Sequence, residues 1–236
     1  MKKNLIVVTG GSGRFGSILK KKKFKNFIFP KKKQLDITKE KSLEKYFSKR
    51  NIKTVIHLAG LSRPMKIHDT MPEKSINLNI IGTSKLVVAC KKYNIKIIYF
   101  STSYVYPGTI GNYKENSPLL PFNNYAWSKL GGECAVRLYK NSLILRVCMT
   151  EKPFIHKKAF SDVRLNFIFQ NEVAEILKKV LSKKGILNIG GPTQTVYKFA
   201  KKFNPKVKKI SINKLKNIYY PKNCSMNLSK LKKIIN

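Results

Sequence analysis

Apolar residues run unbroken through Leu5, Ile6, Val7 and Val8, and a continuous β-branched run predicts a strand buried on both faces. A glycine-rich turn at 10–16 follows, and Phe15, Ile18 and Leu19 then recur at helical spacing before the lysines at 20–23. A second strand is expected at Phe27–Phe29, closed by Pro30, and a short extended piece at Gln34–Ile37. Thr38 is placed to cap a helix that carries Leu43, Tyr46 and Phe47 on one face. Thr54–Leu58 reads as a strand, and 72–93 as a long helix with Pro72 in its first turn. The pattern then predicts a strand at Lys96–Phe100, a helix at Asn124–Leu138 and a strand at Ser142–Val147. After Met149 the regularity weakens: a loop at Phe154–Arg164, a helix at Glu172–Leu181, a strand at Ile186–Ile189 and a helix at Val196–Phe203.

Continuous apolar strands that alternate with helices imply an α/β fold, a parallel sheet covered on both faces. The alternation spans residues 1–150, and 151–236 is expected to form a small lobe packed on that sheet. A chain of 236 residues that is 42% hydrophobic is long enough to bury a core. No stretch approaches the roughly 20 apolar residues of a membrane span. The basic start and short apolar run resemble a signal peptide, but the run ends after four residues in Thr9-Gly10-Gly11, which favours the strand. Cys90, Cys134, Cys148 and Cys224 form no CxxC pair, as expected of reduced thiols in a cytoplasmic protein.

The net charge of +38 is the electrostatic footprint of a nucleic-acid binder. Such binders cluster their basic residues and often read bases with Arg. Here the charge is mostly Lys spread along the whole chain, with Arg at 14, 50, 63, 137, 146 and 164 alone, so a compositional bias with no nucleic-acid partner is the expectation. A positive field of this size also steers anionic small molecules inward.

Gly10, Gly13 and Gly16 stand at GxxGxxG spacing between a strand and a helix. Gly10 permits the tight turn, Gly13 lets backbone approach a pyrophosphate, and Gly16 allows close helix–strand packing. Free N–H groups and the dipole at the helix start attract phosphate. A lone glycine loop is a weak signal, and a plain strand-to-helix turn is the bland reading; the flanking elements favour a dinucleotide. A carboxylate for the ribose 2′-hydroxyl is usual at the end of the second strand, about 20 residues on. Lys31, Lys32 and Lys33 stand there instead, which favours NADP(H) over NAD(H).

Tyr125 and Lys129 lie at i and i+4, on one helical face. A nearby ammonium stabilises a phenolate and is expected to lower the phenol pKa from its usual value near 10. Ser101-Thr102-Ser103 ends a strand, where an open α/β sheet presents its ligand. YxxxK alone is common by chance; the glycine loop, the hydroxyl-bearing strand end and YxxxK in this order are specific. No set of metal ligands is evident.

These stretches resemble the extended short-chain dehydrogenase/reductases, most closely the dTDP-4-dehydrorhamnose reductase and NAD-dependent sugar epimerase relatives. The resemblance is carried by TGGSGRFG at 9–16, LDIT at 35–38, HLAG at 57–60, LNIIGT at 78–83, STSYVYPG at 101–108, YAWSKLGGE at 125–133 and ILR at 144–146. Weaker matches are NEVAEIL at 171–177, LNIGG at 187–191 and PKNCSMNLSKL at 221–231. It implies a Rossmann-type doubly wound sheet with a small C-terminal substrate lobe, and an NAD(P)-dependent oxidoreductase acting on a nucleotide-activated sugar, foremost by 4-keto reduction of a nucleoside-diphosphate 4-keto-6-deoxy sugar. A 4-epimerase, or a non-catalytic nucleotide-sensing regulatory subunit, is the alternative; a homodimer is compatible with either. The resemblance assigns Tyr125 to proton transfer, Lys129 to lowering its pKa and Thr102 to aligning the sugar oxygen. It places Gly10, Gly13, Arg14, Phe15, Gly16, Lys31, Asp36, Ile37, Leu58, Ala59, Gly60, Tyr125 and Lys129 at the cofactor, with Asp36 and Ile37 near the adenine, and gives Asn79 a structural role. Sugar 4,6-dehydratases of the group carry Asp-Glu after the threonine; Ser103-Tyr104 stands here, which argues against water elimination.

Overall fold

The computed structural model describes residues 4–154, 156–214 and 220–235. Strand β1 (Leu5–Thr9) leads through the glycine turn into α1 (Arg14–Lys21), then β2 (Phe27–Ile28), α2 (Glu40–Phe47) and β3 (Ile52–His57). Next come the short helices α3 (Ile67–Thr70) and α4 (Pro72–Ser75), a π-helical stretch at Ile76–Gly82 and α5 (Thr83–Lys92). β4 (Lys96–Thr102), α6 (Asn124–Arg137) and β5 (Ser142–Val147) follow. The remainder comprises β6 (Met149–Thr150), β7 (Lys158–Phe160), β8 (Arg164–Leu165), β9 (Ile168–Phe169), α7 (Gln170–Val180), β10 (Gly185–Ile189), β11 (Gln194–Thr195), α8 (Val196–Phe203), β12 (Lys208–Ile210) and α9 (Ser229–Ile235).

Six strands form one sheet in the order β10-β5-β4-β3-β1-β2, and β1 pairs in parallel with β2 and β3, as does β3 with β4. Successive residues of a strand face opposite sides. Val7 and Tyr99 join one core cluster with Leu43 and Phe47 of α2 and Leu86 of α5. On the other side Phe100 meets Phe15 of α1, ring centroids 5.1 Å apart. Val8, Val55, Ile56, Ile97 and Ile98 are completely buried, as an apolar run without alternation requires of a doubly wound parallel sheet. β1 lies between β2 and β3, so the chain turns back across it, and such a switch point opens a crevice beyond the strands' carboxyl ends.

The backbone contacts divide the chain into two units. One holds residues 1–101, 124–145 and 181–186; the other holds 102–123, 146–180 and 187–236. In the second, β7 pairs in parallel with β12 and β6 with β9, while β8 and β11 are antiparallel. Phe167, Phe169 and Phe203 surround Phe199, with centroids 5.2–5.4 Å from its ring. Arg146 is buried and donates to the Tyr106 hydroxyl at 2.8 Å and the Glu115 carbonyl at 2.9 Å. Among the described residues no helix is long and apolar enough to cross a membrane.

Three local expectations need correction. Residues 34–37 form turns and irregular chain, not an extended piece, because Leu35 and Ile37 are buried singly with no strand alongside to pair with. Thr38 does not cap α2, which begins at Glu40 behind Lys39; the Thr38 hydroxyl donates back to Asp36 at 2.7 Å instead. Within 154–164, expected to be a loop, residue 155 lies outside the described residues, and Lys158–Phe160 forms β7 because β12 supplies its partners.

Candidate functional site

Gly10 has φ +70°, and a Cβ there would lie 2.6 Å from the Ala59 nitrogen, so only glycine fits the turn. A Cβ on Gly16 would lie 2.5 Å from the Gly10 carbonyl oxygen, which explains the close seating of α1 on the loop. Gly13 donates its N–H to that same carbonyl at 2.9 Å and stands at the N-terminal cap of α1 with ordinary extended dihedrals. No side chain caps the start of α1, which leaves its first N–H groups as an anion-attracting end behind Gly13, and Gly13 lines the cleft.

The cleft beyond β1 and β3 has a volume of about 620 Å³, inside the range of about 300–1,000 Å³ usual for small-molecule and cofactor sites. Gly10, Gly13, Lys31, Asp36, Ile37, Leu58, Ala59 and Gly60 line it, all singled out in the sequence. Thr9, Gly11, Ser12, Lys20, Phe29, Pro30, Lys32, Leu35 and Leu78 line it as well. Lys20 carried no signal, because its helix gives no hint of which end faces the crevice, and Leu78 was marked only by the stretch LNIIGT. Phe15 and Gly16 lie beneath the loop, not on the wall of the cleft, and Arg14, Tyr125 and Lys129 are not on that wall either.

Asp36 Oδ1 accepts from the Thr38 N–H at 3.0 Å and hydroxyl at 2.7 Å. Burial works against its charge, but those bonds, with Lys32 and Lys39 nearby, hold its carboxyl below the usual range. Its lone pairs are thus partly committed to its own turn. The other charged groups on the cleft are Lys20, Lys31 and Lys32, a donor set that suits an anion and fits a phosphorylated dinucleotide.

A buried chain of hydrogen bonds holds the loop after β3. Thr9 Oγ1 lies 2.9 Å from His57 Nδ1 and accepts from the Ala59 N–H at 3.2 Å, while His57 Nε2 lies 2.9 Å from Thr83 Oγ1. Burial, with the charge of Lys129, pushes His57 down to about 3, so the ring is neutral and acts as a brace. Asn79, inside the π-helical stretch, accepts from the Leu61 N–H at 2.7 Å and donates to the Leu61 carbonyl at 2.9 Å. It also donates to Ser128 Oγ at 2.8 Å, which in turn donates to the Tyr125 carbonyl at 2.7 Å. Asn79 therefore ties the loop beyond β3 to the turn of α6 that carries Tyr125.

The Tyr125 ring lies 5.2 Å from the ring of His68, whose Nδ1 is 2.7 Å from Ser75 Oγ. The lowered phenol pKa expected from the Tyr/Lys spacing is absent. Burial pushes Tyr125 up to about 12, against the opposing charges of Arg63 and Arg14. The Lys129 ammonium sits 4.1 Å above the ring of Tyr99, and burial brings it down to about 7. Thr102 ends β4 in a buried position, its Oγ1 accepting from the Tyr104 N–H at 3.3 Å. Among the described residues no three His, Cys, Asp or Glu side chains are grouped to hold a metal ion.

The chain is 34% identical over 190 residues to the dTDP-D-glucose 4,6-dehydratase of Dictyostelium discoideum, covering 61% of this chain and 42% of that protein. It is 37% identical over 99 residues to the UDP-glucose 4-epimerase of the same organism, covering 41% of this chain and 28% of that one. It thus spans less than half the length of these curated relatives. Its fold matches the dTDP-4-dehydrorhamnose reductase of Bacillus anthracis, solved in complex with NADP, with a TM-score of 0.85 at 20% identity over 99% of this chain and 92% of that one. The family model described as the RmlD substrate binding domain matches residues 3–179, three quarters of the sequence, and the chain belongs to that family.

Proposed function

We propose that this protein is an NAD(P)-dependent oxidoreductase of a nucleotide-activated sugar, and that it reduces the 4-keto group of a nucleoside-diphosphate 4-keto-6-deoxy sugar. The observation that carries the reading is the Tyr125–Lys129 pair held one turn apart on α6, its backbone tied through Ser128 and Asn79 to the loop that closes the cofactor-sized cleft. When bound, the dinucleotide would supply the hydride for the keto carbon. Gly10 and Gly13 let backbone approach the pyrophosphate, and Arg14, Phe15 and Gly16 form the first turn of the helix behind them. Asp36 and Ile37 border the adenine, and Leu58, Ala59 and Gly60 line the wall beyond β3. Lys31 holds a 2′-phosphate, which makes NADP(H) the preferred cofactor.

Tyr125 gives its hydroxyl proton to the substrate oxygen as that oxygen gains charge. A phenol pushed up to about 12 by burial is fully protonated at neutral pH, as a donor must be. Lys129 stabilises the resulting phenolate through its positive charge, and Thr102 orients the sugar oxygen by hydrogen bonding. Residues 151–236 are assigned to the sugar nucleotide. Ser103 and Tyr104 stand where an acid and a base for water elimination would be needed, which supports reduction over dehydration.

The test is oxidation of NADPH with a panel of nucleoside-diphosphate 4-keto sugars, followed at the nicotinamide absorbance, for the parent and Tyr125→Phe. Loss of a positioned proton donor should slow turnover about 10²- to 10⁴-fold with cofactor binding intact. Parental turnover in that variant refutes the mechanism. The similarity to a UDP-glucose 4-epimerase supports a second reading, 4-epimerisation, which predicts protein that purifies with nicotinamide tightly bound.

A further inference from the structure

Helix α6 carries Tyr125, Lys129 and Glu133 at successive four-residue intervals, so one face holds a phenol, an ammonium and a carboxylate in line. Glu133 is completely buried, in a chain with 11 acidic residues against 49 basic ones. A carboxylate taken out of water is costly unless it is paired and hydrogen-bonded. Ser101 on β4 donates to Glu133 Oε2 at 2.7 Å. One turn back, Lys129 is itself 9% exposed, its ammonium over the ring of Tyr99 and its carbonyl accepting from the Tyr99 hydroxyl at 2.9 Å. The backbone between these side chains is closely packed. A Cβ on Gly132 would lie 2.5 Å from the Asn79 carbonyl oxygen and 2.7 Å from the Tyr99 hydroxyl. The titratable groups acting here from the packed elements are His57 of β3, neutral, Tyr99 of β4, and Tyr125 and Cys134 of α6. Burial drives Lys129 toward its neutral form, and the charge of Glu133 opposes it.

We propose that Glu133 is a positioning residue whose carboxylate, clamped by Ser101, favours the charged form of Lys129 against its burial and seats it one turn from Tyr125. Its consequence for turnover rests on the proposed oxidoreductase reading; the coupling itself does not. The role has a physical logic. An ammonium that must stabilise a phenolate in a dry site loses its proton unless a fixed negative charge holds it, and a carboxylate one turn further along the same helix does so without touching the substrate.

The experiment uses the 236-residue chain without ligand, with lysines labelled at ¹³Cε and the Lys129 resonance assigned by its loss in Lys129→Met. Titration by NMR should place the parent midpoint near 7. Glu133→Gln should weaken proton binding to Lys129 about tenfold or more, and Glu133→Asp should recover part of the loss. An unchanged midpoint in Glu133→Gln overturns the proposal. Thermal unfolding gives a second readout if Glu133→Gln folds poorly. Lys129→Met strands the carboxylate in the core, so Lys129→Met/Glu133→Gln should be more stable than Lys129→Met alone. A double variant less stable than Lys129→Met also overturns it. Parental turnover in Tyr125→Phe would remove the oxidoreductase reading and leave this coupling standing, so the two failures are separable.

Discussion

Gly10 and Gly13 should fail in different ways when a methyl group is added, and the contrast tests where the dinucleotide binds. Gly13 has φ −70° and ψ 169°, dihedrals that alanine adopts freely, and its Cβ would meet one atom, the Gly10 carbonyl oxygen at 3.2 Å. Gly13→Ala therefore costs little beyond a poorer helix cap, about 1 kcal/mol. Gly10→Ala combines a left-handed φ, about 1–2 kcal/mol, with contacts of 2.6–2.8 Å to backbone atoms of Leu58 and Ala59, which add about 1–3 kcal/mol. At about 2–4 °C per kcal/mol for a chain of this length, Gly13→Ala should melt within about 4 °C of the parent, and Gly10→Ala about 4–20 °C below it. NADPH at a hundredfold its Kd stabilises the parent by about 2.7 kcal/mol, or about 5–11 °C. On the proposed binding mode Gly13→Ala should lose that gain, because its methyl group would occupy the space of the pyrophosphate while the fold persists. Differential scanning fluorimetry with and without NADPH reads both quantities. A Gly13→Ala protein that keeps the full ligand-induced shift would refute binding at this loop, whatever the other variants do.

Two further outcomes follow from the charges around the cleft and the core. Lys31→Glu should weaken NADPH binding about tenfold to a hundredfold, the loss of one hydrogen bond to a charged group, and leave NADH nearly unchanged by calorimetry; equal losses would show that Lys31 is merely solvated. Lys129 is brought from 10.5 down to about 7 on folding, so between those values the unfolded chain holds a proton that the folded chain has released. Its burial penalty is complete below about pH 7 and is relieved as pH rises toward 10.5. The stability of the parent relative to Lys129→Met, from urea unfolding at pH 7, 8 and 9, should therefore rise with pH, and a flat or falling difference contradicts the burial argument.

Much of the fold was legible along the chain because a doubly wound sheet writes itself locally. Val7-Val8, Ile97-Ile98 and Leu143–Leu145 are apolar without alternation, and strands covered on both faces need little else. Helix α8 begins and ends at the expected residues, its apolar face at Val196, Phe199 and Ala200, since helical periodicity is a property of neighbours. The glycine spacing located the loop beyond β1 for the same reason: a left-handed turn and two close backbone approaches leave glycine no substitute at Gly10 and Gly16.

Tertiary structure decided what depends on distant partners. The helix expected at 72–93 contains a π-helical stretch at 76–82 that periodicity does not reveal; there Asn79 bonds to Leu61 and Ser128, 18 and 49 residues away. Lys20, Phe29 and Leu78 reach the cleft because the sheet order brings their elements to the switch point, and that order is written in no single segment. Residues 102–123 lie between β4 and α6 in the chain, yet their contacts are with 146–180 and 187–236, as in the stacked rings of Tyr106 and Tyr113 under Arg146 and Asn188. The clearest case is the pair on α6. Spacing alone places an ammonium one turn from a phenol and predicts a lowered phenol pKa. Burial reverses that sign for Tyr125 and lowers Lys129, because desolvation depends on everything packed around a group, and a sequence records only which groups are there.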